Sequence, residues 1–439
     1  MLEAIISPNV DVKKVCEDVG FGVFSNKLLS KHTVIYRDRA FVSIQHTANR
    51  RFVKACQNCH KPLGSIREQF KTLFNEERFE RVDVSALPDD GNDLVNCVCG
   101  EIYCSIQCGA EAHERHHFCL CVVGSGIHGE AVAAFKYFCL SIEGCGDNLL
   151  LLSQLLATVC SKSQGKYENF RGLLDELLTF TNRPFNEVAR PPDGSERDAG
   201  WEKWLEETLS EAFELLCKAL VHQTEIFGQF FANKIESFSI LSRLLSIFEL
   251  NNIDIAIPSK LGAQVLELSR RGFPVDPIVR EKEVIMRALW NDEARGIYED
   301  EIDEDDDQEM SDMDDSDSDE VDEHFHDNES IDEMLNEIRS QVSEIPIERL
   351  LEESEYPNFH GTGFFLSVAR TNHSCEPNVS MDFDDGKAIV SCKTLRDINP
   401  GEEIRMSYIS CPSIRSKKVR QSLLKDYLFT CNCSLCSSQ

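Results

Sequence analysis

The sequence predicts an α+β fold in which strands near both ends of the chain flank a long helical middle. Short strands alternating with turns are indicated for residues 1–50 and again for 359–411. Between them, apolar residues recur at spacings of three and four across most of 128–290, which is typical of helices. The third observation is a set of 19 cysteines, most of them in C-x-C, C-x2-C and C-x3-C groups. Cysteines so closely spaced can share a metal ion, so we expect small metal-stabilised modules beside the main core.

The charge and composition of the chain limit its possible partners. The formal net charge is −31, and 17 of the acidic residues lie within 299–323, which has no Lys or Arg. Without that segment the net charge is still −14, so we expect the folded part to repel nucleic acids and attract basic proteins. No apolar run reaches the roughly 18 residues of a membrane span, and no secretory signal opens the chain. The sequence predicts a monomer in the reducing nucleus and/or cytoplasm, without membrane or direct nucleic-acid binding.

Residues 1–50 contain three segments that suit strands. The first begins at Gly20-Phe21-Gly22, and the others are Thr33–Tyr36 and Ala40–Ile44. A G-x-G turn lacks Cβ at two positions, which allows another group to approach its backbone closely. By itself such a turn is weak evidence for a binding site.

Residues 51–124 hold four closely spaced pairs of metal-ligand types. They are Cys56-x2-Cys59, Cys97-x-Cys99, Cys104-x3-Cys108 and His117-x3-Cys121. Zinc takes four ligands in a tetrahedron, so four pairs predict two zinc sites. The histidine ligand stays open, because His113, His116 and His117 lie together; His117 fits the H-x3-C spacing, and Cys119 is an alternative thiol.

The middle of the chain, residues 125–298, is predicted to be helical. The clearest periodic segments are Asn148–Cys160, Trp204–Phe231 and Glu236–Leu250. The acidic segment that follows, 299–330, cannot bury enough apolar surface to offset its ordering entropy, so we expect it to be disordered. Helical periodicity returns over Ile331–Leu351.

The last 70 residues hold the most informative motifs. An Asn-His pair occurs in Asn372-His373-Ser374-Cys375-x-Pro377. A glutamate motif, Gly401-Glu402-Glu403-Ile404, is followed by Tyr408. Two aromatic residues, Tyr427 and Phe429, precede the cysteine group Cys431-x-Cys433-x2-Cys436. The last group has the spacing of a zinc site.

Together these motifs resemble the SET-and-MYND (SMYD) family of protein-lysine methyltransferases. The resemblance implies a SET domain split between residues 1–50 and 331–411, threading a pseudoknot, with a MYND zinc finger inserted at 51–124. It implies that 125–298 expands the SET-I helical insertion, which forms one wall of the substrate groove. In this scheme 299–330 is an acidic linker and 412–439 a post-SET zinc segment. The chain ends three residues after Cys436, so it resembles the shorter, divergent members without a large C-terminal helical domain.

The resemblance also implies the zinc ligand sets. In MYND fingers the first pair binds zinc with the third and the second pair with the fourth. One zinc would then lie on Cys56, Cys59, Cys104 and Cys108, and another on Cys97, Cys99, His117 and Cys121. A third would lie on Cys375, Cys431, Cys433 and Cys436.

The cofactor implied by the resemblance is S-adenosylmethionine. Its contacts would come from Gly20, Phe21, Gly22, Asn372, His373, Tyr408 and Phe429. The catalytic side chains would be Tyr408 and Tyr427, which would line the channel for the substrate lysine.

The implied reaction is methylation of a lysine in a histone or another basic protein. At pH 7 removing the proton of a lysine ammonium costs roughly 4.6 kcal/mol, which a dry aromatic channel with a tyrosine hydroxyl can help to offset. The alternative is a non-catalytic adaptor whose MYND finger binds Pro-rich peptides. The presence of Tyr408, Asn372-His373 and the terminal cysteines favours the enzyme. The target protein, its lysine and the number of methyl groups added stay open.

The acidic segment 299–330 is expected to be a solvated linker, with two sharper alternatives. It could recruit basic substrates, or it could compete with them for the groove. Ser311, Ser316 and Ser318 each precede an Asp, and phosphorylation there would deepen the charge.

Overall fold

The computed structural model describes residues 7–16, 20–74, 83–85, 87–89, 94–123, 128–142, 144–192, 194–298, 328–353, 355–383, 387–409, 414 and 416–438. Its strands are β1 (Val10–Cys16), β2 (Gly20–Ser25), β3 (Val34–Arg39), β4 (Val42–Gln45), β5 (Val95–Asn96), β6 (Ile102–Tyr103), β7 (Ile253–Ile257), β8 (Phe359–Phe364), β9 (Asn372–His373), β10 (Val379–Phe383), β11 (Ile389–Thr394) and β12 (Glu403–Met406).

The three larger sheets each combine strands from both ends of the chain. Their strand orders are β1-β2-β12-β9, β10-β11-β3 and β4-β8-β7, and β5 and β6 form a separate hairpin. β9 runs parallel to β12, with Asn372 beside Arg405 and His373 beside Met406. Segments more than 300 residues apart in sequence therefore build one β-rich unit, and the predicted α+β class with a helical middle is confirmed.

The helices are α1 (Ile66–Leu73), α2 (Ile106–Ala112), α3 (Phe118–Leu120), α4 (Gly129–Ser141), α5 (Gly146–Lys162), α6 (Tyr167–Leu177), α7 (Phe185–Val188), α8 (Ala199–Leu220), α9 (Glu225–Phe230), α10 (Lys234–Asn251), α11 (Leu261–Arg270), α12 (Asp276–Tyr298), α13 (Asn328–Ser343), α14 (Ile347–Glu353), α15 (Lys417–Leu424) and α16 (Ser434–Ser438). Among the described residues, none of these helices has both the length and the apolar character needed to cross a bilayer.

The predicted helices Asn148–Cys160 and Glu236–Leu250 are confirmed as parts of α5 and α10. The prediction of one helix over Trp204–Phe231 is wrong, because the chain breaks after α8 and restarts at α9. Thr224 caps the new helix, since its side chain accepts a hydrogen bond from the N–H of Phe227.

Two further differences concern segment ends. β7 is a strand inside the region predicted to be helical, and it extends the sheet of β4 and β8. α13 begins at Asn328, inside the segment predicted to be disordered. The rest of that segment, 299–327, lies outside the described residues.

Helix α5 connects the helical region to the β-rich unit. Its leucines Leu149, Leu152 and Leu156 are completely buried, and each such side chain contributes about 1.5–3 kcal/mol by leaving water. At its first turn, the carboxylate of Asp147 accepts hydrogen bonds from the N–H and hydroxyl of Thr47, just after β4. The helical region is thereby fixed against the sheet that carries one wall of the site described next.

Candidate active site

Tyr408 is held beside the Asn-His pair by a side chain of that pair. The backbone N–H of Tyr408 donates a hydrogen bond to Nδ1 of His373, at 3.0 Å. Burial, together with the nearby Arg405, lowers the pKa of His373 to about 4, so the ring is neutral and Nδ1 can accept. The proton then lies on Nε2, which faces the sulfur of Cys375 at 3.3 Å. His373 therefore bridges the tyrosine segment and the terminal cysteine group.

Asn372 is fixed to the G-x-G turn and to β12 at the same time. Its Nδ2 donates to the carbonyl of Phe21 at 3.2 Å and to Oε1 of Glu403 at 2.8 Å. The other carboxylate oxygen of Glu403 accepts from Nε of Arg405 at 2.7 Å. A Cβ at Gly22 would lie 2.7 Å from Glu403 Oε1 and 3.0 Å from Asn372 Nδ2. The close approach of these side chains thus requires glycine at this position.

Three rings surround that of Tyr408, so that the cluster contains four rings. The centre of its ring lies 5.3 Å from His373, 5.1 Å from Tyr427 and 6.1 Å from Phe429. Phe429 also contacts His373, with ring centres 5.8 Å apart. The structure therefore brings the predicted catalytic tyrosines and three predicted cofactor contacts into one cluster.

The hydroxyl of Tyr408 is engaged as a donor. It donates to the backbone carbonyl of Thr371 at 3.0 Å, and burial raises its pKa well above the usual value for tyrosine. The hydroxyl therefore stays protonated, and its oxygen lone pairs remain available as acceptors. Tyr427 contacts the same segment, because its hydroxyl donates to the carbonyl of Tyr408 at 3.4 Å.

The twelve predicted zinc ligands form three groups, in each of which all ligand atoms lie within 4.8 Å of one another. They are Cys56, Cys59, Cys104 and Cys108; Cys97, Cys99, His117 and Cys121; and Cys375, Cys431, Cys433 and Cys436. Four sulfurs around a zinc, with Zn–S bonds of about 2.3 Å, lie about 3.8 Å apart. The sulfur–sulfur distances of 3.7 Å between Cys59 and Cys104 and 3.6 Å between Cys375 and Cys436 match this spacing. The three groups fit three zinc ions.

The geometry identifies His117 as the histidine of the second group. Nε2 of His117 lies 3.3 Å from the sulfur of Cys97 and 3.4 Å from that of Cys99. His113 is exposed and His116 is buried outside the group. Cys119 is also outside it, because its sulfur faces the carbonyl of His116.

The third group anchors the end of the chain beside the four rings. Gln421 on α15 forms two hydrogen bonds with the backbone of Cys431, at 2.7 and 3.0 Å. The guanidinium of the buried Arg420 lies 3.7 Å from the sulfur of Cys436. These contacts place Tyr427 and Phe429, which lie between α15 and the cysteines, against Tyr408.

A cavity of about 630 Å³ opens onto the two tyrosines from the side of the helical region. Its lining includes Tyr408 and Tyr427 and three carboxylates, Asp147, Glu249 and Asp254. Asp147 and Glu249 have hydrogen-bond donors in His46 and Asn148. Asp254 on β7 is exposed, and its carboxylate has no hydrogen-bond or ion-pair partner within the described parts of the chain. Its negative charge contributes to raising the pKa of His46 and of Tyr427.

Comparison with known proteins agrees with this geometry. A family model described as "SET domain" matches residues 268–409. A zebrafish (Danio rerio) protein named protein-lysine N-trimethyltransferase SMYD5 is 40% identical over 90 residues, which are 20% of this chain and 22% of that protein. Its human (Homo sapiens) namesake is 22% identical over 98% of this chain and 87% of its own length. Histone-lysine N-methyltransferase ATXR2 of Arabidopsis thaliana is 23% identical over 95% of this chain and 88% of that protein.

The chain thus contains a region similar to the SET domain, over residues 268–409, together with three cysteine-rich groups that fit zinc. The chain is SMYD-like, as its sequence motifs predict.

Four residues that shape the site are absent from the predicted set. Arg370 and Thr371 directly precede the Asn372-His373 pair but carry no motif signal of their own, and Asp254 comes to the cavity through the pairing of β7 with β8. Glu403 was noted only as part of the G-E-E motif, and its role in orienting Asn372 through a hydrogen bond was not predicted.

Proposed function

We propose that this protein is an S-adenosylmethionine-dependent protein-lysine N-methyltransferase with a basic protein as its substrate. The observation that carries the proposal is the joint placement of Asn372, His373 and Tyr408 beside a cavity large enough for a lysine side chain. When bound, S-adenosylmethionine supplies an electrophilic methyl group. The residues suited to hold it are the Gly20–Gly22 turn, Asn372, His373 and Phe429.

Tyr408 orients the attacking amine in this scheme. Because its hydroxyl donates to Thr371, its oxygen can only accept a hydrogen bond from the substrate. An amine that donates one N–H to this oxygen has its lone pair directed elsewhere, which restricts the orientation from which it can attack. The lysine must first lose its ammonium proton, which the aromatic surroundings of Tyr408 and Tyr427 favour because they solvate the charged form poorly. Tyr408 would thereby hold the neutral amine in the orientation from which it can take up the methyl group that bound S-adenosylmethionine would supply.

The cavity favours a basic substrate segment. Its three carboxylates face the approach to the tyrosines, and Asp254 is the one without a partner among the described residues. A lysine or arginine next to the target lysine would pair with Asp254. At an exposed position such a pair contributes up to about 1 kcal/mol.

The test is transfer of a labelled methyl group from S-adenosylmethionine to proteins of a hypomethylated cell extract. Wild-type protein with three zinc ions per chain should label one or a few proteins, and Tyr408→Phe should label them at least 100-fold more slowly. Tyr137→Phe is the matched control, because Tyr137 is exposed on α4 and is not among the residues that line the cavity. Failure of the wild-type protein to bind the cofactor would instead support the adaptor.

A further inference from the structure

Arg370 connects the predicted cofactor turn to the helical region. Its guanidinium carbon lies 4.7 Å from the ring centre of Phe21 and 3.6 Å from that of Phe180. It also donates hydrogen bonds to the carbonyl of Thr179, at 3.2 Å, and to the hydroxyl of the same residue. The side chain is thus tied to the segment after α6 while it contacts the middle residue of the G-x-G turn.

Arg370 contacts the ring of Phe21, whereas Asn372 contacts its backbone. The carbonyl of Phe21 accepts from Asn372 Nδ2, and Arg370 lies two residues before Asn372 in the chain. A cation close to an aromatic face is attracted by the ring quadrupole, and more strongly where water is partly excluded. The turn is therefore connected to a residue of the helical region, Phe180, through Arg370.

The same contacts continue toward the cavity. Phe180 packs edge-on against Phe364 of β8, with ring centres 5.1 Å apart, and Phe364 contacts Phe248. Phe248 lines the cavity that opens onto Tyr408. The helical region that builds the substrate side of the site is thus in contact with the cofactor side.

We propose that Arg370 is a positioning residue for the methyl donor, which uses Thr179 and Phe180 of the helical region to fix Phe21 in its binding conformation. This inference rests on the proposed function, since it assumes that the Gly20–Gly22 turn contacts S-adenosylmethionine. It gives the helical region a role in cofactor binding, besides forming a wall of the substrate cavity.

The test measures binding of S-adenosylhomocysteine by calorimetry, which needs no knowledge of the protein substrate. Arg370→Met keeps an unbranched side chain but removes the charge and the donors, and it should weaken binding about tenfold. Arg370→Lys keeps a cation near the rings but lacks the planar guanidinium fork. Its affinity for S-adenosylhomocysteine should therefore lie between those of wild type and Arg370→Met. Phe180→Leu should weaken binding as well. The double variant Arg370→Met/Phe180→Leu should bind within twofold of Arg370→Met, because the two residues act through one contact.

Arg243→Met is the matched control for a general loosening of the same segment. Arg243 donates to Asn182 at 2.8 Å, three residues after Thr179, without an assigned contact to Phe21. Its affinity for S-adenosylhomocysteine should stay within twofold of wild type. Equal binding by wild type, Arg370→Met and Arg370→Lys, or an equal loss in Arg243→Met, would overturn the positioning role. Absence of binding by zinc-loaded wild type would overturn the proposed function itself.

Discussion

Substitution of Gly22 by alanine tests the cofactor side of the site most directly. The new methyl group would lie 2.7 Å from Oε1 of Glu403 and 3.0 Å from Nδ2 of Asn372, so both groups must move. Glu403 cannot swing away freely, because its second oxygen is bonded to Arg405. The hydrogen bond from Asn372 to the Glu403 carboxylate is therefore lost or stretched. A hydrogen bond to a charged group contributes about 2 kcal/mol. Because the proposed cofactor complex needs Asn372 in the orientation that this bond fixes, we expect binding to weaken by up to roughly 30-fold.

The assay is calorimetric titration with S-adenosylhomocysteine on protein of verified zinc content. Gly172→Ala is the control, because Gly172 lies on α6 and an added Cβ there meets no atom within 4 Å. That change should raise the free energy of unfolding by about 0.5–1 kcal/mol and leave binding unchanged. Binding by a folded Gly22→Ala protein within twofold of wild type would refute the assignment of Gly22 and Asn372 to the cofactor site.

Three further predictions concern the substrate, the metal and the pH. Asp254→Asn should raise the KM for a basic substrate peptide about fivefold and leave S-adenosylhomocysteine binding unchanged; an unchanged KM would exclude the ion pair. Cys436→Ser should lose one zinc and most cofactor binding, whereas Cys59→Ser should lose one zinc and keep cofactor binding. Metal analysis measures the zinc content, and titration with S-adenosylhomocysteine measures the binding. Equal binding by the two variants would contradict a distinct role for the zinc group that contains Cys436. Burial raises the pKa of Asp38 from 3.8 to about 6, so the unfolded chain releases this proton first. The wild type should therefore lose about 3 kcal/mol of stability relative to Asp38→Asn as pH rises from about 3 to 7, most of it between about pH 4 and 6. Chemical unfolding of both proteins at several pH values measures this difference, and a constant difference would refute it.

The sequence predicted those features that local pattern determines. Closely spaced cysteines predicted zinc sites because zinc chemistry restricts the spacing of its ligands, and the family resemblance supplied the ligand sets. The β-strands near both ends followed from alternation and turn residues. β7 was missed although its sequence Ile253-Asp254-Ile255-Ala256-Ile257 alternates, because helical periodicity dominates on both sides of it.

Contacts across long stretches of chain could not be predicted in the same way. Arg370 meets Thr179 across 191 positions, and neither residue belongs to a recognisable motif. Asp254 reaches the cavity only because β7 pairs with β8. No rule of sequence spacing predicts such contacts, since the number of residues between the two partners depends on the length of the intervening chain.

The third cysteine group differs from the other two in its connection to the chemistry. Cys375 follows the Asn-His pair by two residues, and its sulfur faces Nε2 of His373, whose Nδ1 in turn accepts from the N–H of Tyr408. A zinc-bound thiolate is a stronger acceptor than a thiol, so metal at this group favours the His373 tautomer with its proton on Nε2. That tautomer is the one that leaves Nδ1 free to hold Tyr408. A zinc ion held by Cys375, Cys431, Cys433 and Cys436 would thereby support the hydrogen bond from Tyr408 to His373 as well as order the last residues of the chain, so we expect its loss to affect the site more than loss of either zinc in the finger.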